Sequence, residues 1–472
     1  MEFNIRHFYI TLASANLLLI YITRNCLSVA IVTMTETERS VELHNFTSEC
    51  RRNQNISLEN YRPSERKNAA SFSWSQFDIN MALGMYFYAY ATMQIPAGFL
   101  LEMYSAKLLL IGTKLLHALL TCLVPLVSEY GPKYLIALRL MSGVFGAFTF
   151  PATVSLVKSL SKPKEVIVSV NLIVSFSGIG SFLQPIITGY LCNNVHLGGW
   201  RSAFYVCGLA ELIHIAVFAC FLYTKKFTEM LKTNQPKKNQ TTKIGALKSF
   251  KNSLQLLRDW KVYAYSYSRF AAININQLLI LKLPDYFASV MNYTILENGF
   301  INSIPMCSFI LTPIFAGVGV NTLVNRRFWS PRSIYSIIYT ASATLSVFLA
   351  FSTKYFGCNG TLAITILSFW LNFSLISNCI VMPIISNHSK YVALSTAVAN
   401  TFGLSTGFVA PLYTYIFTKD NVYSNENWHY VFITCGLIGF SGSITLNLML
   451  WIGKTNPYLL LTNKKACENN ET

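Results

Sequence analysis

The sequence predicts an all-α polytopic membrane protein with twelve spanning helices in two six-helix halves. Three observations predict it. Of the 472 residues, 53% are apolar and only 12% are charged, about half the charge of an ordinary soluble chain. Apolar runs close to the roughly 20 residues that hydrocarbon requires begin near residues 8, 80, 108, 132, 166, 200, 262, 299, 333, 360, 393 and 429. Between the sixth and seventh runs, residues 225–261 hold ten Lys or Arg against Glu229 and Asp259, a bias that keeps a loop cytoplasmic.

The first run, HFYITLASANLLLIYITRNCLSVAIVTM, carries no convincing signal-peptide cleavage site and reads as an uncleaved anchor. Arg24 is the only Lys, Arg, Asp or Glu between Arg6 and Glu36. A cation near the bilayer centre costs about 2.5 kcal/mol or more, so it reads first as a functional group, with snorkelling or an acidic partner as the alternatives. Residues 35–75 form an outer loop with sequons at Asn45 and Asn55. A third sequon, at Asn239, falls in the basic linker and is expected to stay unmodified.

The second run contains Tyr88 and Tyr90, and the third Lys114 and His117. The fourth, PKYLIALRLMSGVFGAFTFPATVSLV, carries Arg139. Arg24 lies ten residues from the outer end of helix 1 and Arg139 seven from that of helix 4, so at 1.5 Å per residue both sit roughly 10–15 Å deep. Two guanidinium forks on neighbouring helices suit an oxyanion.

Glu211 and His214 share a face of helix 6; they read as a pair or proton relay, or as peripheral structure. After the linker, helix 7 carries Arg269, the amides Asn274, Asn276 and Gln277, and Lys282, Pro284 and Asp285 near its outer end. Arg269 and Asp285, with Glu211, are candidates for coupling or gating. Asn274, Asn276, Tyr88 and Asn400, at the head of helix 11, are candidates for substrate contact, against the commoner use of such groups in interhelical hydrogen bonds. Arg326, Arg327 and Arg332 place the next basic loop inside as well, so both termini are expected in the cytoplasm. Glycines and a serine at Gly143, Gly146, Ser177, Gly178, Gly180, Gly403 and Gly407 are expected to let helix backbones meet.

The chain thus divides into residues 1–224, a linker at 225–261, residues 262–452 and a tail at 453–472. Its eleven cysteines show no CxxC spacing, so no metal site or disulfide is assigned. The net charge of +17 follows largely from topology, and no aromatic-basic module suggests nucleic acid. No nucleophile–base spacing or phosphate loop suggests an enzyme.

Six segments in order, TRNCLSVAIVTM, YFYAYATMQIPAGFLLE, ALRLMSGVFGAFTFPA, GGWRSAFYVCGL, LPDYFASVMNYTILENGFINSIP and VANTFGLSTGFVAPL, resemble the major facilitator anion transporters that include type I sodium–phosphate cotransporters, sialin and the vesicular glutamate transporters. The resemblance implies the major facilitator fold and a substrate carboxylate or phosphate held by Arg24 and Arg139. Proton-coupled members carry glutamates in helix 4 where this chain has Ser142 and Gly146, and a histidine in helix 2 where it has Leu83. The chain also has Lys390 where relatives complete an Asn-His-x-Asp pattern. Sodium-linked entry of phosphate or a small organic anion is therefore expected, with an uncoupled facilitator or a non-transporting sensor as alternatives. The expected partners are a small anion and the bilayer, for a monomer that needs no cofactor beyond a possible Na+, in the plasma membrane rather than a vesicle.

Overall fold

A computed structural model describes residues 5–35, 72–161, 166–224, 259–291, 293–307 and 392–452, with scattered residues between 310 and 367. The described elements are helices: α1 (Ile5–Met34), α2 (Gln76–Met103), α3 (Ala106–Glu129), α4 (Pro132–Gly146), α5 (Thr149–Leu160), α6 (Val166–Asn193), α7 (Trp200–Leu222), α8 (Trp260–Ser289), α9 (Ile295–Met306), α10 (Val392–Thr418) and α11 (Asn425–Ile452), plus a 3₁₀ turn at Val195–Leu197. Apart from α5, each begins within about four residues of an expected run. The runs expected near 333 and 360 lie largely outside the described residues. So do Asn45, Asn55, Asn239, most of the linker, Arg326, Arg327, Arg332, Lys390 and the tail.

Local chemistry sets the boundaries. The Ser75 hydroxyl accepts from the Asp78 amide at the start of α2, and Thr294 and Glu297 form a reciprocal capping box on α9. Gly198 and Gly199 adopt positive φ, 99° and 60°, which turns the chain between α6 and α7 where a side chain would be strained. The fourth expected run is split into α4 and α5 at Ala147–Phe148. Pro151 contributes, since it has no amide hydrogen to offer and its ring crowds the carbonyl of residue 147 in a continuous helix, although Pro96, Pro125, Pro185 and Pro284 are carried within unbroken helices.

Six helical stretches among the described residues are long and apolar enough to cross a membrane, and exposed leucines, tyrosines and isoleucines such as Leu108, Ile213 and Ile444 face outward. α1 packs on α6 and α7, α3 on α7 and α4, and α2 on α4. After the linker, α8 packs on α10 and α11. The two groups meet where α2 lies on α10, α6 on α9 and α1 on α8.

Glycines set those approaches. A Cβ on Gly299 of α9 would stand 2.6 Å from the Pro185 carbonyl of α6, and one on Gly407 of α10 would stand 2.3 Å from the Phe87 ring of α2. Gly143 is tighter still: its Cβ would lie 2.1 Å from the Tyr86 carbonyl oxygen, a backbone atom that cannot swing aside. Gly143→Val is expected to force α2 and α4 apart at a cost of about 3 kcal/mol or more, read as a loss of monodisperse protein in detergent. Gly98→Ala, with nothing within 4 Å, should leave the yield unchanged.

Apolar packing is uneven along the bundle. At the end carrying the C-terminus of α1, one buried cluster joins Met34, Ile31, Leu191 and Trp200 to Ile295 of α9. At the opposite end, one cluster runs from Tyr9 to Leu222 within the first group and another joins Tyr265, Ala399 and Met449 within the second. Val262, Val398 and Ile95 form the small cluster between them.

Candidate anion site

Arg24 and Arg139 come together inside the bundle, 5% and 4% exposed. The link is direct: Arg139 Nη2 donates to the Arg24 carbonyl oxygen at 2.9 Å, and Nε reaches the Ala82 carbonyl at 3.4 Å. The Arg139 guanidinium therefore lies level with the Arg24 backbone. Among the described residues neither makes an ion pair; the acids that do are Glu211, Glu129 and Asp285, with other partners.

Aromatic faces take the place of carboxylates. The Arg24 guanidinium carbon lies 3.7 Å from the Tyr21 ring centroid, one turn earlier on α1, and 5.7 Å and 5.9 Å from Phe87 and Tyr90 of α2. Arg139 lies 4.7 Å from the Tyr86 centroid. Such contacts contribute about 2 kcal/mol when desolvated and leave hydrogen-bond donors unspent. The Nε of Arg24 is buried without a partner. The two arginines consequently differ: Arg139 is braced against two backbone carbonyls, whereas Arg24 is held by ring faces and keeps donor capacity.

Tyr86, Phe87 and Tyr21 were not singled out in the sequence, and they correct the choice of Tyr88. Tyr88 is 49% exposed, with its ring 5.4 Å from that of Phe408 at the surface of the α2–α10 seam. Adjacent helical residues point about 100° apart, so Tyr86 and Tyr90, four apart, share the face turned to the arginines and Tyr88 does not.

On α8 the candidates separate. Arg269 Nε donates to Asn400 Oδ1 at 3.0 Å, which joins α8 to α10. The Asn274 amide nitrogen lies 3.4 Å from the Tyr413 hydroxyl and 3.6 Å from Cys435 Sγ; that side chain is turned toward α10 and α11, away from α1. Asn276 and Gln277 are both buried. Asp285 bonds Lys282 at 2.8 Å, a buried i,i+3 pair within one helix, so it is already matched by its own neighbour.

Glu211 also departs from expectation. Its partner is not His214 on its own helix but α3: Lys114 Nζ pairs with Oε1, and His117 Nδ1 lies 3.1 Å from Oε2. His214 Nε2 bonds the Leu12 carbonyl instead, at 3.2 Å. Lys114 and His117 repeat the i,i+3 spacing on the facing helix, and the carboxylate between them neutralises the lysine.

A helical membrane bundle whose first helix group holds two buried cations without a carboxylate among the described residues has the character of a solute carrier. The Major Facilitator Superfamily model matches residues 13–411, and the chain belongs to that superfamily. It is similar to sialin from Ovis aries, 25% identical with 91% of this chain and 86% of that protein aligned, and to human sialin, 25% identical over 93% and 87%. Vesicular glutamate transporter 2 from Bos taurus is 24% identical, with 80% of this chain and 66% of that protein aligned. Among solved structures, the bacterial homologue of the lysosomal transporter Spinster, inward-facing and unoccupied, superposes with a TM-score of 0.65 at 12% identity, covering 93% of this chain and 97% of that one. The nucleoside transporter NupG gives 0.62 at 13% identity, covering 93% and 99%. At such identity these two report the fold alone.

Proposed function

We propose that this protein is a secondary carrier of a small organic anion, with the carboxylate received by Arg24 and Arg139. One observation carries the reading: the Arg139 guanidinium bonds the backbone of Arg24, both side chains are buried without an acid beside them among the described residues, and Arg24 Nε has no hydrogen-bond partner. A structural cation in so dry a place would ordinarily be matched by a carboxylate, as Lys114 is matched by Glu211. Here an incoming anion supplies the missing charge. The names of the relatives reported above, sialin and the vesicular glutamate transporters, favour a carboxylate over phosphate.

Alternating access fits the uneven packing. Among the described residues the halves are joined by apolar packing at one end and only lightly at the other, which fits a carrier closed on one side of its site. Counterflow in proteoliposomes tests the carrier: labelled sialate, glutamate or phosphate should accumulate against the same unlabelled anion, and a protein that only binds gives no exchange. Replacing sodium with choline in that assay tests the expected sodium link, which indifference removes. Plasma-membrane residence with cytoplasmic termini belongs to the same proposal, read by epitope access at the surface of intact cells.

A further inference from the structure

We propose that the lipid-facing crevice between α2 and α10 is a sterol site, in which the sterol hydroxyl donates to Asn80 Oδ1 and the rings lie across the seam of the two helix groups. Phe77, Asn80 and Met81 of α2 and Phe408, Leu412 and Tyr415 of α10 frame about 190 Å³ of empty space. The two helices touch one turn further along, where a Cβ on Gly84 would stand 3.1 Å from the Phe408 ring and 3.2 Å from its Cα. The site is independent of the anion reading.

Asn80 makes the crevice more than a gap between apolar side chains. The residue is 3% exposed, and its Nδ2 donates to the Gln76 carbonyl at 2.7 Å. A backbone carbonyl only accepts, so the amide nitrogen is fixed there and Oδ1 remains an acceptor. That oxygen is buried without a hydrogen-bond partner among the described residues. A buried acceptor left unmatched is unfavourable, so a ligand that brings an O–H gains where a purely apolar one does not.

Position and chemistry select the occupant. Phe77, Tyr88, Leu412 and Ile416 are exposed on helices of a membrane bundle, so what meets the crevice is a component of the bilayer. Asn80 lies five residues beyond the Ser75 cap of α2, roughly 7–8 Å along the helix, and Lys419 follows the last residue of α10 at the same end. This is the level of a bilayer's ester and hydroxyl groups. Choline phospholipids carry no O–H or N–H donor there, and an ethanolamine ammonium would have to leave water for an aromatic-walled crevice. A sterol brings one uncharged hydroxyl on a flat, rigid ring system. The rings find aromatic pairs along their path: Phe77 with Tyr415 at 5.3 Å at the rim, and Tyr88 with Phe408 at 5.4 Å further in. Leu412, Tyr415 and Lys419 also follow the loose Leu-x-Tyr-x-Lys spacing of sterol-contacting helices, which by itself is weak. Because each helix group supplies one wall, a bound sterol favours the arrangement in which α2 and α10 stay in register, by the difference in its affinity for the two arrangements.

The test uses the full chain in nanodiscs of choline phospholipid with a photoactivatable cholesterol analogue, the adducts being mapped by peptide mass spectrometry. Wild type should carry adducts on the segments holding Phe77–Tyr88 and Phe408–Tyr415. Excess cholesterol should remove them, and cholestenone, whose ketone cannot donate, should compete about three- to tenfold less well. Asn80→Leu should lower labelling by a similar factor, and Leu412→Trp, which fills the crevice, should abolish it, both with wild-type elution on size exclusion. Equal labelling of the variants overturns the proposal, as do adducts confined to other segments. Cholestenone that competes as well as cholesterol also overturns it, since the surface is then merely wetted by any apolar lipid; this comparison uses wild type alone and decides the matter should either variant fail to fold.

Discussion

Arg24→Gln is expected to lower saturable anion uptake by about a hundredfold or more while leaving the protein at least as stable as wild type. The first half follows from losing a charge-assisted hydrogen bond to a desolvated oxyanion, about 3 kcal/mol, which corresponds to about two decades in affinity. The second half is diagnostic. Among the described residues Arg24 has no ion-pair partner to orphan and its Nε is unsatisfied, so removing its charge relieves a burial cost that ring faces offset. Arg139→Gln should lose uptake too, but with lower stability, because its guanidinium braces α4 against the carbonyls of Arg24 and Ala82. Arg24→Lys should recover little, since an ammonium lacks the planar fork that stacks on Tyr21. Uptake with each variant, normalised to surface protein and set beside unfolding in detergent, checks the whole pattern. Full uptake by Arg24→Gln, or collapse of its folded yield, defeats the assigned role.

The parts legible in the sequence were those where composition changes abruptly. A lone arginine in an apolar run contrasts with everything around it, so Arg24 and Arg139 could be found, and helix periodicity placed them at equal depth. Helix starts were legible for the same reason. The phase of α2 was not. YFYAYA is apolar on every side because α2 packs on both α4 and α10, and no charge marks the inner face; only the close approach of Gly143 and Gly146 to Tyr86 fixes which tyrosines face the arginines. The break at Ala147–Phe148 was announced by Pro151, but it was not read from an otherwise unbroken apolar stretch. Spacing along one helix likewise shows which side chains share a face, not what the neighbouring helix presents. That is why Glu211 and His214 suggested a pair while the carboxylate in fact meets Lys114 and His117.

Glu211→Gln is expected to destabilise the protein by about 3–5 kcal/mol, the cost of leaving a buried partner charge uncompensated. Lys114 is fully buried, and no other carboxylate among the described residues lies within ion-pair reach of it. An amide at position 211 can accept from the ammonium but cannot balance it. Adding Lys114→Met to a Glu211→Leu background should restore most of the loss, since replacing both members of a buried pair by apolar side chains is often neutral. Equilibrium unfolding of the two single variants and the double variant gives the coupling directly. A single variant as stable as wild type would show that water or rearrangement already screens the pair. The contrast with Arg24 is the physical point: both are dry cations on helices of the same half, but one is matched from within the fold and the other is not. Removing the matching charge should therefore harm the fold, whereas removing the unmatched one should harm transport.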